Sequence, residues 1–165
     1  MNIFALDTNP KIAARYQVDK HVVKMVLETA QLLSTCHRVL DSEWAELVYK
    51  KTHVNHPCSI WVRESSENYN WLLEHFVYLL EEYTFRYGKV HKCSEYLHIL
   101  KNNPVDSDPL TLFALAMPDE YKMDCPVLSY RKYYINAKSA LFSWTRRELP
   151  DWLHKTLDNN YQLVL

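Results

Sequence analysis

DKHVVKMVLETAQLLSTCHR, residues 19–38, is the stretch that decides the fold. It is rich in strong helix formers such as Ala, Leu, Met, Glu and Lys, and it contains no Gly or Pro. On a helical wheel its apolar side chains form one arc of Val22, Val23, Val26, Leu27, Ala30 and Leu33. An opposite, polar stripe consists of His21, Lys24, Glu28 and Gln31. The pattern predicts a long amphipathic helix with Asp19 as its N-cap.

Helical periodicity continues through the rest of the chain and predicts an all-α fold. Residues 1–7 fit a short strand or an extended lead-in, and Asn9-Pro10 predicts the start of a short helix to about Arg15. Ser66 and Gly88 are the predicted N-cap and left-handed C-cap of a second long helix. Other helical segments are predicted at 42–51, 58–64, 93–101 and 126–147, with a last turn from Pro150 to Leu157.

Length and composition restrict the class of protein. A chain of 165 residues suits one domain, so we expect a single compact all-α domain over 1–165, with two or three long helices and short connecting ones. The single Gly excludes Gly-rich phosphate loops and the dinucleotide fingerprint, because both need several glycines. No apolar run approaches the roughly 18 residues of a membrane helix, and residues 1–10 lack signal-peptide architecture. We therefore expect a cytoplasmic protein without a membrane segment.

Cysteine and histidine spacing gives little support for a metal site. The four cysteines form no C-x-x-C pair and are typical of reduced, mostly buried thiols. One cluster, His53, His56 and Cys58, contains ligating residue types, but no second ligand pair with the usual spacing follows it. We therefore predict neither a metal nor a cofactor.

Charge is segregated along the chain although the formal net charge is only −1. Basic side chains are concentrated at 11–24, 86–92 and 131–147. Such segments can converge into one positive groove that binds DNA, or they can lie on separate faces. Tyr130, Arg131, Tyr134 and Lys138 align rings with cations at helical spacing, which fits either base stacking beside phosphates or ordinary core packing.

Asp19-Lys20-His21, followed seven residues after the His by Glu28, resembles the pyrimidine-dimer DNA glycosylases of the phage endonuclease V type. Further similarities come in the same order as in that family: Asn55-His56-Pro57, Leu80-Glu81-Glu82 with Arg86-Tyr87-Gly88, and Leu149-Pro150-Asp151-Trp152. The resemblance implies that Glu28 is the catalytic carboxylate and that His21 contacts the damaged site. It also implies a nucleophilic α-amine, a group that titrates near ~7.7–8.0 and is partly neutral at physiological pH.

The chain departs from this family at several positions. Asn2 stands where the family has its N-terminal Thr, and Ile3, Leu27 and Gln31 stand where it has arginines. Because Asn is too large for ordinary removal of the preceding Met, the candidate amines are those of Met1 and of a lysine such as Lys20 or Lys24.

The main hypothesis is a DNA-processing enzyme that acts on a damaged or modified base or its N-glycosidic bond, with Met1, His21 and Glu28 as its catalytic residues. One alternative is a non-catalytic nucleic-acid or nucleotide-binding module, and another is a helical protein-interaction protein. The candidate DNA contacts are Arg15, Lys20, Lys24, Gln31, His56, Arg63, Arg86, Tyr87, Lys89, Lys92, Tyr130, Arg131, Tyr134 and Lys138.

Overall fold

The computed structural model describes residues 1–106 and 108–154, and all regular secondary structure in these ranges is helical. The α-helices are α1 (Pro10–Tyr16), α2 (Asp19–Val39), α3 (Pro57–Glu64), α4 (Ser66–Tyr87), α5 (Leu97–Leu100) and α6 (Pro126–Ala137). Short 3-10 helices cover Ala45–Leu47, Lys92–Tyr96, Asp119–Tyr121 and Ser139–Leu141, and 151–154 is helical as well. The predicted all-α class is confirmed, and Leu157 lies outside the described residues.

The two long helices, α2 and α4, form the centre of the fold. They pack against each other, α1 packs on α4, and α3 packs on both. Asn9 caps α1 through its side chain and Pro10 occupies the first helical position, as predicted. Gly88 ends α4 with a φ of 65°, which confirms the left-handed C-cap.

The buried face of α2 differs from the predicted arc. Val23 and Leu27 are 43% and 40% exposed, whereas Met25 and Leu32 are buried. All residues from Leu32 to His37 are buried, because the C-terminal half of α2 is enclosed by neighbouring elements. A wheel assumes one apolar face, and it fails for a helix that contacts neighbours on several sides.

Two predicted N-caps were wrong by one residue. Val18 precedes α2, and Asp19 lies inside its first turn, where its carboxylate accepts from Ser143, Thr145 and Arg86 instead. Ser65, not Ser66, caps α4, because the Ser65 hydroxyl accepts from the backbone N–H groups of residues 67 and 68.

The predicted helix at 42–51 was wrong, since only Ala45–Leu47 forms a 3-10 turn there. The backbone carbonyls of this segment bind a side chain instead, because the Arg38 guanidinium donates to the oxygens of residues 46, 48 and 49. The segment predicted as a helix at 93–101 divides into a 3-10 helix and the short α5.

The last long helix is shorter than predicted, because α6 ends at Ala137 and not near Arg147. Beyond it the chain turns back so that Ser143 and Thr145 bind Asp19, and the Trp144 indole N–H donates to the carbonyl of Tyr16. These contacts attach the 143–147 segment to the junction of α1 and α2. No helix within 1–106 and 108–154 combines the length and apolarity that crossing a membrane requires.

Candidate active site

The N-terminal segment, residues 1–6, forms no regular secondary structure, lies in the core and brings the α-amine to α2. The Met1 side chain is only 3% exposed, and Ile3 and Leu6 are fully buried. Phe4 has a positive φ of 47°, a conformation that is strained for a bulky residue and that bends the chain sharply. Residues 1–7 form no strand, so the predicted lead-in is the better description, although it bends at Phe4 and is not extended throughout.

The amine of Met1 lies 3.9 Å from Glu28 Oε2. The other carboxylate oxygen, Glu28 Oε1, lies 3.2 Å from Lys24 Nζ, one turn earlier on α2. The Glu28 side chain is 14% exposed, so the carboxylate is shielded from solvent but not fully buried. We call Met1 N, Lys24 and Glu28 the amine site. Two of the three candidate amines, those of Met1 and Lys24, thus meet one carboxylate.

Asn2 is buried next to the amine site, and the sequence analysis assigned it no function. Its backbone N–H donates to Glu28 Oε2 at 3.1 Å. Its side-chain oxygen accepts from the backbone N–H groups of Ile3 and Phe4, and its side-chain nitrogen donates to Ala116 O at 2.7 Å. The sequence does show a polar residue, Asn2, between Met1 and an apolar run. It does not show that the partner of Asn2 is Ala116 in the 114–117 segment.

His56 lies at the start of α3 and near the amine site. Its Nδ1 accepts from the backbone N–H of Cys58, so its neutral form carries the proton on Nε2. Burial lowers the pKa of His56, and the positive charges of the Met1 amine and His53 lower it further, whereas Glu28 raises it. The imidazole is therefore a neutral group within electrostatic range of both Met1 and Glu28.

His21 is buried, and the prediction that it shares a solvent-facing stripe with Lys24 was wrong. Its ring stacks on Phe4 with centroids 4.3 Å apart, and its Nδ1 lies 2.5 Å from the Tyr134 hydroxyl. Burial lowers the pKa of His21 to about 4, with smaller contributions from Lys138 and Lys24. A neutral His21 thus packs against Phe4, the residue at which the N-terminal segment bends.

The predicted stacking rings of α6 were wrong, because Tyr130 and Tyr134 are fully buried. The Tyr130 hydroxyl donates to Ala114 O, and both rings pack edge-on against Phe4. Their spacing reflects the inner face of α6, so they form part of the core and cannot stack on bases.

Several predicted DNA-binding arginines are engaged within the protein. Arg86 is buried, with ion pairs to Asp19 and Glu82, so its assignment as a DNA contact was wrong. Arg131 donates to Leu6 O and pairs with Asp7. Arg63 donates to the carbonyls of residues 54 and 59. Fixed guanidinium groups of this kind hold the chain together and are less available to phosphates.

The remaining predicted contacts lie nearer to solvent. Tyr87 is half-buried and donates its hydroxyl to Asp19 O, and Lys138 lies over the Tyr133 ring. Gln31 is half-buried on α2. The predicted cations that are exposed are Arg15, Lys20, Lys24, Lys89 and Lys92.

Comparisons with known proteins identify a family. The sequence profile of the family described as pyrimidine dimer DNA glycosylase matches residues 1–95, which include Met1, Glu28, His56 and all of α4. A search of curated proteins and a search of solved structures found no match. Within the described part of the chain, no group of three or more His, Cys, Asp or Glu side chains is arranged to hold a metal.

Proposed function

The chain belongs to the pyrimidine dimer DNA glycosylase family, and we propose on this basis that it is an enzyme that cleaves the N-glycosidic bond of a damaged or modified base in DNA. The observation that supports this proposal best is the 3.9 Å separation of the Met1 amine and Glu28. A glycosylase of this chemistry needs a primary amine and a carboxylate side by side, and the amine site supplies both.

In the proposed reaction, the lone pair of a neutral amine forms a bond to the sugar C1′ while the C1′–N bond to the base breaks. The base leaves with the bonding electrons and takes up a proton. The sugar ring then opens, its O4′ takes a proton, and the amine nitrogen forms an imine with C1′. In a lyase step, loss of a C2′ proton would expel the 3′ phosphate and cut the strand.

We assign the proton transfers to Glu28. Its Oε2 faces the amine and the backbone N–H of Asn2, and its Oε1 faces Lys24. A carboxylate in this position can accept a proton from the amine and return it to O4′ during ring opening. Lys24 balances the carboxylate charge, and it is the second candidate for the nucleophile.

The amine site lies on an exposed, basic part of α2, which supports DNA as the substrate. Lys20 and Lys24 are exposed on this helix, one turn apart. Val23 and Leu27, which are exposed beside them, offer an apolar surface for a base that has left the stack.

Borohydride trapping tests this function directly. The imine is reduced to a permanent protein–DNA cross-link, so we expect trapping on abasic or ultraviolet-damaged duplexes, and an intact-mass measurement shows whether Met1 is present. Acetylation of the N-terminus should suppress trapping, whereas Lys24→Met should leave most of it.

The opposite result, trapping that survives acetylation and disappears in Lys24→Met, would assign the nucleophile to Lys24. Tight binding without trapping on any damaged duplex would contradict the enzyme and favour a binding module. DNA binding should weaken with salt by a log–log slope of about −0.9 for each neutralised phosphate, and a flat response would contradict DNA as the partner.

A further inference from the structure

The side chain of Asn2 makes three hydrogen bonds to the backbone of other residues. Its side-chain oxygen accepts from Ile3 N at 2.8 Å and from Phe4 N at 3.1 Å. Its side-chain nitrogen donates to Ala116 O at 2.7 Å, and Asn2 as a whole is buried. Terminal residues are usually poorly ordered unless they are held down. Here the side chain connects residues 2–4 to a segment more than a hundred positions away.

The hydrogen bonds of Asn2 stabilise a backbone conformation that has an intrinsic cost. An Asn or Asp side chain that accepts from the N–H two residues later forms a local turn. At Phe4, the end of that turn, φ is 47°, which is rare for a bulky residue. Positive φ at such a residue persists only where the surroundings enforce it, and it is often found at functional sites. The turn therefore bends the chain immediately after residues 1 and 2.

The backbone nitrogens of Met1 and Asn2, which precede this turn, both face the Glu28 carboxylate. Asn2 N donates to Glu28 Oε2 at 3.1 Å, and the Met1 amine faces the same oxygen at 3.9 Å. The Met1 side chain is itself buried and packs against the core. Asn2 and the buried Met1 side chain therefore hold the amine, which already lies beside the carboxylate.

We propose that Asn2 is a positioning residue that fixes the Met1 amine against Glu28 through its bonds to Ile3 N, Phe4 N and Ala116 O. The inference rests on the proposed function. It explains why an amide is required: a carboxylate at position 2 could accept from Ile3 and Phe4 but could not donate to Ala116 O, and an aliphatic side chain could do neither. A small residue is also unsuitable, because it would permit removal of Met1.

The experiment compares Asn2→Asp and Asn2→Leu with the wild-type protein, since both substitutions keep position 2 large enough to retain Met1. Trapping is measured with an abasic duplex over a range of DNA concentrations, and intact mass verifies the N-terminus. We expect Asn2→Leu to lower the trapping rate at saturating DNA by roughly 10²-fold, because small misplacements of reacting groups have effects of this order. The half-saturating DNA concentration should stay within about twofold of wild type, and Asn2→Asp should recover part of the rate.

Asn9→Leu is the matched control. Asn9 also accepts from two backbone N–H groups, those of Lys11 and Ile12, but it does so at the start of α1 and is exposed. Asn9→Leu should lower the melting temperature and leave the trapping rate unchanged. If Asn2→Leu and Asn9→Leu reduce trapping equally, or if Asn2→Leu raises only the half-saturating concentration, the positioning role is wrong.

A second measurement does not depend on glycosylase activity. An acylating reagent that modifies amines is applied to the protein alone, and labelling of Met1 is followed by mass spectrometry. Loss of the turn should free the amine and increase its labelling rate several-fold in Asn2→Leu but not in Asn9→Leu. Faster labelling with no trapping in the wild-type protein would support the role of Asn2 and refute the proposed function. Unchanged labelling in Asn2→Leu would refute the role of Asn2.

Discussion

Two helix carboxylates, Glu28 on α2 and Glu82 on α4, differ in the type of cation that they contact and in their exposure to solvent. Glu28 is 14% exposed and meets the Met1 amine and Lys24, both of them primary amines. Glu82 is 5% exposed and accepts from the guanidinium groups of Arg86 and Arg147. We call Glu82, Arg86, Asp19 and Arg147 the arginine cluster.

The chemistry of the cation separates these two sites. A guanidinium does not lose its proton in proteins and donates in a fixed planar geometry, so it suits a permanent internal link. A primary amine can lose its proton and then has a nucleophilic lone pair. The arginine cluster joins α1, α2, α4 and the 143–147 segment, since Arg86 also donates to the carbonyls of Gln17 and Arg15. The charges of the arginine cluster thus stabilise the fold, whereas those of the amine site are of a type that can take part in a reaction.

The largest effect is expected for Glu28→Gln at the amine site. Gln is nearly isosteric and is a good helix former, so the fold should remain intact while proton transfer is lost. We expect trapping or turnover to fall by about 10²–10⁴-fold with little change in melting temperature. Normal turnover in this variant would remove Glu28 from the mechanism.

Glu82→Gln in the arginine cluster should have the reverse effect. Loss of the Glu82 charge removes one of the two ion-pair partners of buried Arg86 and the ion-pair partner of Arg147, and we expect a loss of about 3 kcal/mol in the free energy of unfolding. Urea denaturation measures this loss, and trapping should be normal where the variant remains folded. Glu46→Gln is the control, because exposed Glu46 pairs with Arg38 at the surface and should contribute less than about 1 kcal/mol.

Buried histidines allow the two regions to be compared by pH. Burial lowers the pKa of both His21 and His75 to about 4, from an ordinary value of about 6.5. Between these values the unfolded chain binds protons that the folded chain excludes. Each histidine should therefore add stability that is complete above about pH 6.5 and is lost as the pH falls towards 4.

Replacement of either histidine by Gln should reduce the slope of unfolding free energy against pH by about 1.4 kcal/mol per pH unit within this window. The trapping rate should respond differently. His21 stacks on Phe4 beside the amine site, whereas His75 contacts Gln17, on the side of the arginine cluster. Only His21→Gln should slow trapping, and an equal effect of His75→Gln would show that the two regions are not independent.

The smallest effect concerns Gly88, which ends α4 two residues beyond Arg86 of the arginine cluster. Gly88 has a positive φ, and a Cβ added there would meet nothing within 4 Å, so backbone strain alone opposes a substitution. Gly88→Ala should reduce stability by about 1 kcal/mol, and Gly88→Asn by less, because Asn tolerates this conformation better. Thermal denaturation measures both values, and trapping should not change.

Local signals in the sequence predicted the helices whose ends are determined locally. Asn9-Pro10 at the start of α1 and Gly88 at the end of α4 were identified from residue type alone, since caps depend on immediate neighbours. Helix ends that depend on distant partners were missed. The Arg38 guanidinium binds carbonyls of the 42–51 segment, and Asp19 binds the segment that follows α6.

The same distinction applies to the candidate site. Glu28 and Met1 were predicted from a resemblance in short motifs, and the structure places them together. Arg86 was chosen from the basic run at 86–92, and Tyr134 because rings and cations recur at helical spacing. Neither pattern can tell an inward from an outward direction. Asn2 was missed because its partner, Ala116, is separated from it by 114 positions.

The sequence by itself determined the helical class, the order of the helices and the residue types available for chemistry, because periodicity, caps and motifs are local properties. Only the tertiary structure decided which charges neutralise each other and which face a ligand. That choice depends on contacts between distant segments, such as Met1 with Glu28 and Arg86 with Asp19. Burial then gives each charge its role, because a cation enclosed with its partner stabilises the fold, whereas one left partly open can react.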